Sequence, residues 1–380
     1  MSGDFPGLTD VHAHPALNAW LWGRNLERHY WSSTVFNPLA TLSDFTMLRK
    51  GDVKVLWSAL HVPERQYMDC RTLNLIARLF KGGRMLRTED AWTCLQAQRQ
   101  ELELQVSKAD DIRIVRSNRE LDKALEEGDI AIVHTLEGGH HLDAGLADDD
   151  VDGRLGRLDT VARWGVASLT IAHLFPNDLA GHANGIPESM HKGILGLLCT
   201  FDPEEDLNRG LTPVGEAVLE RMIEHRILPD ITHCTPRARN EVYAHVANRI
   251  PIVASHIGVH ALNPVPYNLT EVDVQAIKAS KGLIGVIFMP YWLESSHPKP
   301  GLEPIWKTMK QIHDWSGGTW DHVAIGTDFD GFTDPPDDCK NAGELGRVRE
   351  FLTNDKGLAE ADVDKILGAN ARDVLNAGWV

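Results

Sequence analysis

Two histidines one residue apart, His12 and His14 in Leu8-Thr-Asp-Val-His-Ala-His-Pro15, close the first apolar run of the chain. Side chains on a β-strand alternate between faces, so both imidazoles would point the same way and could grip one cation. Pro15 stops the strand just beyond them. Alone, such a pair is weak evidence. It gains weight because later apolar runs also end in residues that bind metals or move protons: Glu137, His233, His256 and Asp328.

Glu137 follows the run Ile130-Ala-Ile-Val-His-Thr-Leu136, where a bare carboxylate would be costly to desolvate unless paired or bound to a cation. Three further runs end in histidine, at His173, His233 and His256, and another ends Gly326-Thr-Asp328-Phe-Asp-Gly331. Four histidines (His12, His14, His233 and His256) with Glu137 suffice for two divalent cations bridged by a carboxylate. Four-coordinate zinc typically takes three protein ligands and a water. A hydroxide shared between the cations would be a nucleophile near neutral pH. Asp328 could bind a metal, orient that nucleophile and take its proton. His173, not needed as a ligand, could hydrogen-bond the oxyanion of a tetrahedral intermediate. Imidazole and carboxylate ligands suit zinc without excluding manganese, iron or cobalt.

The elements that must position these residues alternate along the chain. Strand-like runs fall at residues 7–12, 53–61, 130–136, 166–172, 227–232, 250–255, 283–289 and 323–327, with a further short run at 112–116. Helical patterns lie between them, at 71–84, 91–107, 118–127 with Asn118 as the expected cap, 154–164, 213–225, 237–247, 270–279 capped by Thr270, 306–316 and 359–375. Eight strands separated by helical connections predict a (β/α)8 TIM-type barrel of the α/β class. Closure also follows from the chemistry, because only a barrel gathers the C-terminal ends of such widely spaced strands around one mouth. An open doubly wound sheet would carry a Gly-rich phosphate loop, and no G-x-G-x-x-G follows a strand here. Residues 62–111 read as a helical insertion after the second strand, and 174–210 as a long loop after the fourth. No linker divides the chain, so residues 1–380 are expected to form one metal-dependent hydrolase domain.

Composition narrows the classes. A formal charge of −16 disfavours a nucleic-acid partner, whose phosphates would be repelled. Five scattered cysteines without a C-x-x-C pair predict neither a disulfide framework nor a zinc ribbon. No signal-like segment and no long apolar run is present, so a soluble cytoplasmic protein without a membrane partner is expected.

With these motifs assembled, the sequence resembles the membrane (renal) dipeptidase family of the amidohydrolase superfamily, over about residues 5 to 376. The likeness rests on Asp10-Val-His-Ala-His14, Leu136-Glu-Gly-Gly-His140, Ser168-Leu-Thr-Ile-Ala-His173, Asn177-Asp-Leu-Ala-Gly181, Gly210-Leu-Thr-Pro-Val-Gly215, Asp230-Ile-Thr-His233, Ser255-His256, Asn268-Leu-Thr, Gly326-Thr-Asp-Phe-Asp-Gly331 and Ile366-Leu-Gly-Ala-Asn-Ala-Arg372. It implies two zinc ions and hydrolysis of a peptide or related amide. Glu137 would bridge the metals, His12 would bind one, and His233 and His256 the other. His173 would polarise the scissile carbonyl and Asp328 would be the acid/base. The resemblance also implies a homodimer.

Two positions depart from the family pattern. His14 stands where most members have Asp, replacing a charged ligand by a neutral one. Val265-Pro-Tyr267 stands where an Arg usually holds the dipeptide carboxylate, and Tyr267 cannot supply that charge. A lactone, cyclic amide or N-acyl compound without a free carboxylate is therefore the rival substrate class. A catalytically inactive binding barrel and a barrel lyase such as a decarboxylase are the more distant rivals. Tyr267, Tyr291 and Arg237 are the candidate substrate-binding residues, with Arg239 as a second possible carboxylate clamp. His182, His191 and Lys192 sit in the long loop, His140 and His141 are read as supporting residues, and Trp20, Trp22 and Trp292 as walls of a pocket.

Overall fold

The computed structural model describes residues 7–30, 40–183, 205–294, 301–331 and 334–380. Nine strands form one parallel sheet: β1 (Leu8–Ala13), β2 (Val53–Leu60), β3 (Ile112–Val115), β4 (Ile130–Glu137), β5 (Ser168–Thr170), β6 (Leu228–Asp230), β7 (Val253–Ile257), β8 (Leu283–Val286) and β9 (Val323–Ile325). Their order is β1-β2-β4-β5-β6-β7-β8-β9, and β9 returns to β1 through the Ala13–Phe329 bridge, so eight strands make a nearly closed (β/α)8 barrel. β2 runs along one edge of β4. β3 and β5 share its other edge, pairing with Ile130–Val133 and Thr135–Glu137 respectively. The short extra run is thus a ninth strand outside the barrel.

β5, β6 and β9 have three residues each, shorter than their apolar runs. Pro229 cannot donate within β6. Beyond the strands, His233 (φ 66°) and Asp328 (φ 58°) leave the extended conformation for the left-handed region. Buried aspartates tie the strands there. Asp230 accepts from Thr232 N (3.0 Å), Thr170 Oγ1 (2.8 Å) and Ser255 N (3.2 Å), joining β5, β6 and β7. Asp10 does the same across the seam, accepting from Thr327 Oγ1 (2.6 Å), Thr327 N (3.0 Å) and His12 N (3.2 Å).

The insertion after β2 is helical, but the run 71–84 is two helices, Arg71–Ala77 and Lys81–Thr88. The second packs closely on the helix Pro15–Trp22: a Cβ on Gly82 would lie 2.4 Å from the Trp20 carbonyl oxygen. Ser117, not Asn118, caps the helix Asn118–Glu127, its side chain accepting from Glu120 N. Asn118 instead donates to the Leu375 and Trp379 carbonyls, tying that helix to the chain's end. Thr270 caps Glu271–Ala279 in a reciprocal box with Asp273. Cys94, Cys234 and Cys339 are free and buried, whereas Cys70 is disulfide-bonded, a pairing that the scattered spacing did not suggest. Among the described residues, no helix is long and apolar enough to cross a membrane.

Candidate metal centre

β4 ends at Glu137, whose carboxylate stands in the middle of the barrel mouth and is buried. Around its Oε1 lie His256 Nε2 at 3.3 Å, His12 Nε2 at 3.4 Å, His233 Nε2 at 3.5 Å and His173 Nε2 at 3.8 Å. Its Oε2 lies 3.4 Å from His14 Nε2. Asp328 Oδ1 reaches His14 Nε2 at 2.9 Å and His12 Nε2 at 3.8 Å. The fold thus gathers His12, His14, Glu137, His173, His233, His256 and Asp328 into one buried cluster. They come from the ends of β1, β4, β5, β6, β7 and β9, as barrel closure requires.

These donors fit a metal site. Two ligands of one tetrahedral zinc, each about 2.05 Å from it, stand roughly 3.3 Å apart. The His12–His14 and His233–His256 Nε2 pairs are 3.0 Å and 3.1 Å apart, and their distances to Glu137 run from 3.3 to 3.5 Å. Donor atoms of His12, His14 and Asp328, of His12, Glu137 and His256, and of Glu137, His173 and His233 each fall within 4.8 Å of one another. Supports orient the rings: the Ser255 hydroxyl is 3.0 Å from His256 Nδ1, leaving Nε2 to face Glu137.

Electrostatics agree with that chemistry for three of the four ligand histidines; His12 is instead raised, because the charges of Glu137 and Asp328 overcome its burial. Burial pushes His14 down to about 3, helped by the neighbouring His12 and His173 charges. Burial also lowers His233 and His256. All three are thereby held neutral, the form in which imidazole binds metals. Burial opposes ionisation of Glu137, but His12 and His173 outweigh it and hold the carboxylate charged. Asp328 is pushed up to about 8 by burial, with repulsion from Glu137 working against the pull of His12. His173 rises to about 9, because Glu64 and Glu137 overcome its burial.

Two residues of this site carry no mark in the sequence reading. His61, just past β2, places Nδ1 3.1 Å from the Glu137 carbonyl oxygen and 3.4 Å from Oε2. Glu64 accepts from His173 Nδ1 at 2.6 Å. The signal for His61 was present, since it ends the apolar run 53–61 as the other candidates end theirs. Behind it, His141 Nδ1 donates to the Gly138 carbonyl (2.6 Å) while its Nε2 accepts from Val62 N (2.9 Å), and His140 Nε2 donates to the Val62 carbonyl (2.9 Å). Both histidines support the β2 and β4 ends.

The substrate-side expectations fare differently. Tyr267 is 1 % exposed and spends its hydroxyl on the His256 carbonyl (2.7 Å), packing beneath His233 and Trp292. It supports the metal-side histidines from below and presents no group to the mouth. Arg237 is exposed, paired with Glu241 at 2.8 Å and donating to the Asn208 carbonyl, so its guanidinium is engaged at the surface. Arg239 is buried but donates to the Tyr267 carbonyl (2.9 Å) and pairs with Asp273 (3.3 Å). Tyr291 lies on the short helix Pro290–Leu293 after β8. His182 is buried, bridging backbone with Cys234. His191 and Lys192 lie outside the described residues. Trp20 is buried in the core, Trp22 packs edge-on against Phe80, and only Trp292 approaches the cluster, with its ring 6.4 Å from that of His233.

Comparison with known proteins gives the family and the fold. The sequence profile of the membrane dipeptidase family (peptidase family M19) matches residues 8–377, and the chain belongs to that family. It is accordingly a metal-dependent hydrolase of the dipeptidase type. A Klebsiella pneumoniae protein known as the uncharacterized protein in the pqqA 5' region is 27 % identical over 270 residues, covering 70 % of this chain and 89 % of its own. The Aspergillus terreus protein named dipeptidase ataJ is 24 % identical over 349 residues, covering 88 % and 76 %. The crystal structure of a Rhodobacter sphaeroides metallo peptidase, liganded with a phosphinate mimic of the dipeptide L-Ala-D-Ala, superposes with a TM-score of 0.74 at 20 % identity, covering 98 % of this chain and 99 % of that one.

Proposed function

We propose that this chain is a binuclear hydrolase that cleaves a dipeptide or a related small amide, with zinc as the cation. The reading is carried by one observation: Glu137 turns Oε1 to His233 and His256 and Oε2 to His14, while His12 stands between the two sides, 3.4 Å from Oε1 with its Nε2 3.0 Å from that of His14. Glu137 would bridge the two cations. His233 and His256 would complete one ligand set, and His12, His14 and Asp328 the other. Bound there, the ions would act as Lewis acids and bring a water to a pKa near neutrality.

The protein groups would do the rest. His173 Nε2, facing Glu137 Oε1 across 3.8 Å, would donate to the oxygen of the scissile carbonyl. Asp328 would take the proton of the attacking water and hand it to the leaving amine. Burial of the whole cluster excludes bulk water, which strengthens each of these interactions.

A second reading, hydrolysis of a lactone, cyclic amide or N-acyl compound, is favoured by the arginines. Arg237 and Arg239 are both committed elsewhere, and Tyr267 carries no charge. Plasma mass spectrometry with a kinetic panel separates the two. Two metal equivalents and turnover of free dipeptides are expected. A two-metal protein inert to dipeptides but active on N-capped amides or lactones would shift the assignment to the second reading. A single equivalent at saturating metal would overturn the binuclear one.

A further inference from the structure

Glu64 stands in the turn after β2, just beyond Pro63, and is 4 % exposed. A buried carboxylate is costly unless paired. Its pairing is specific: His173 Nδ1 donates to Glu64 Oε1 at 2.6 Å, the length of a charge-assisted hydrogen bond. We propose that Glu64 is a positioning residue for His173, fixing which ring nitrogen faces the scissile carbonyl. The proposal rests on the reading above, in which His173 meets the carbonyl oxygen.

Packing alone cannot do this. The rings of His61 and His233 lie 4.3 Å and 4.5 Å from that of His173 and confine its plane. They do not distinguish its two edges, because a half-turn about the Cβ–Cγ bond leaves the ring in nearly the same slot. That half-turn exchanges Nδ1 with Cδ2 and Nε2 with Cε1, so that carbons take the places of both nitrogens. The bond to Glu64 selects one orientation, with Nδ1 turned back and Nε2 toward Glu137. His61 acts in parallel from the same strand end, its Nδ1 donating to the Glu137 carbonyl.

Donor atoms of His61, Glu64 and His173 also lie within 4.8 Å of one another, as a cation site would require. The 2.6 Å contact argues for a proton instead: it is well short of the roughly 3.3 Å between two ligands of one tetrahedral zinc. His61 Nδ1 is already engaged with a carbonyl.

The test uses the metal-loaded protein. Glu64→Ala should keep the wild-type metal content and a KM within about threefold. Its kcat should fall on the order of 10- to 100-fold, the usual effect of removing such an orienting partner. Glu64→Gln, whose carbonyl oxygen still accepts from Nδ1, should recover part of that loss. The affinity for a phosphinate dipeptide mimic should fall in step with kcat/KM. Long-range proton–nitrogen spectra of histidine-labelled protein give a readout without turnover. The His173 signals, assigned with His173→Asn, should show an Nδ1-protonated ring in wild type and lose that state in Glu64→Ala. An unchanged kcat in Glu64→Ala, an unprotonated Nδ1 in wild type, or a third metal equivalent abolished by Glu64→Gln would each overturn the proposal. Should Glu64→Ala fail to fold, Glu64→Gln carries the test, with a smaller expected loss. If no amide or ester is turned over by wild type, the functional reading fails, while the spectra still decide the role of Glu64.

Discussion

Asp328 donates its backbone N–H to the His12 carbonyl oxygen at 2.8 Å, so the bond that closes the barrel also sets the candidate acid/base beside the first candidate ligand. Chain ends far apart in sequence meet here, and the seam is reinforced by Asp10, which accepts from both Thr327 and His12. Replacing Asp10 with Ala strands these donors in a site that water does not reach. We expect a loss of about 3 kcal/mol, read as a lower urea midpoint, together with reduced turnover. Asp10→Asn should cost less, since its amide oxygen still accepts. A variant with wild-type stability and rate would show that the seam is held by packing alone.

Asp328 itself should separate chemistry from metal binding. Asp328→Asn keeps the shape but cannot take a proton, and Glu137 with the four histidines remains. At least one metal equivalent should be retained while kcat falls on the order of a hundredfold. Metal analysis and steady-state kinetics on one preparation check this. Loss of all metal would make Asp328 mainly a ligand.

Tyr267→Phe tests the reassignment of that side chain. Its hydroxyl bonds the His256 carbonyl inside the core, so removal should cost about 1 kcal/mol of stability. KM should stay within about twofold. A large rise in KM with unchanged stability would return Tyr267 to the substrate pocket.

These outcomes bear on what the residue pattern could and could not disclose. Barrel strands were legible because each apolar run stops where the chain meets the mouth, and a metal-type residue at that stop is chemically conspicuous. His61 was legible in principle, since it ends its apolar run as His173 and His233 end theirs, but its contact with the Glu137 carbonyl has no trace in the spacing. Glu64 escaped because its partner His173 is distant in sequence and nothing in the loop spacing announces the contact. Arg237 and Tyr267 show the converse. Spacing places them near the mouth, but whether a side chain points inward depends on helix rotation and on competing partners such as Glu241 and the His256 carbonyl. Asn118 next to Ser117 illustrates a one-residue ambiguity between two good caps, settled by the carbonyls that Asn118 finds at the chain's end.

Arg154 is fully buried on the helix Val151–Arg163, donating to Asp143 Oδ1 (2.8 Å) and to the carbonyls of Ala147 and Asp150, and pairing with Asp178. It organises the segments that follow β4 and β5. Arg154→Ala leaves Asp143 without this partner where burial already disfavours its charge, and should cost about 3–5 kcal/mol. Arg154→Ala combined with Asp143→Ala should recover part of the loss, because the uncompensated charge is gone. Urea unfolding of the single and double variants measures it.

Cys94 supplies a pH-dependent test away from the metal centre. It lies on the helix Ala91–Val106 with no exposed surface, and burial, aided by Asp90 and Glu89, pushes its thiol up from 9.0 to about 12. The folded state therefore holds this proton more tightly than the unfolded state. Its contribution to stability is complete below the unfolded pKa and is lost as pH rises from about 9 toward 12. Cys94→Ala should flatten the alkaline fall of the urea midpoint over that window while leaving the slope near pH 7 unchanged. Native protein should react with a disulfide reagent at pH 8 only as fast as it opens, because the attacking species is the thiolate and none is accessible. Denaturant should then expose Cys94, Cys234 and Cys339 together, with Cys70 remaining bonded until a reductant is added. Rapid labelling of Cys94 in the native state would mean that this helix opens independently of the barrel it packs against.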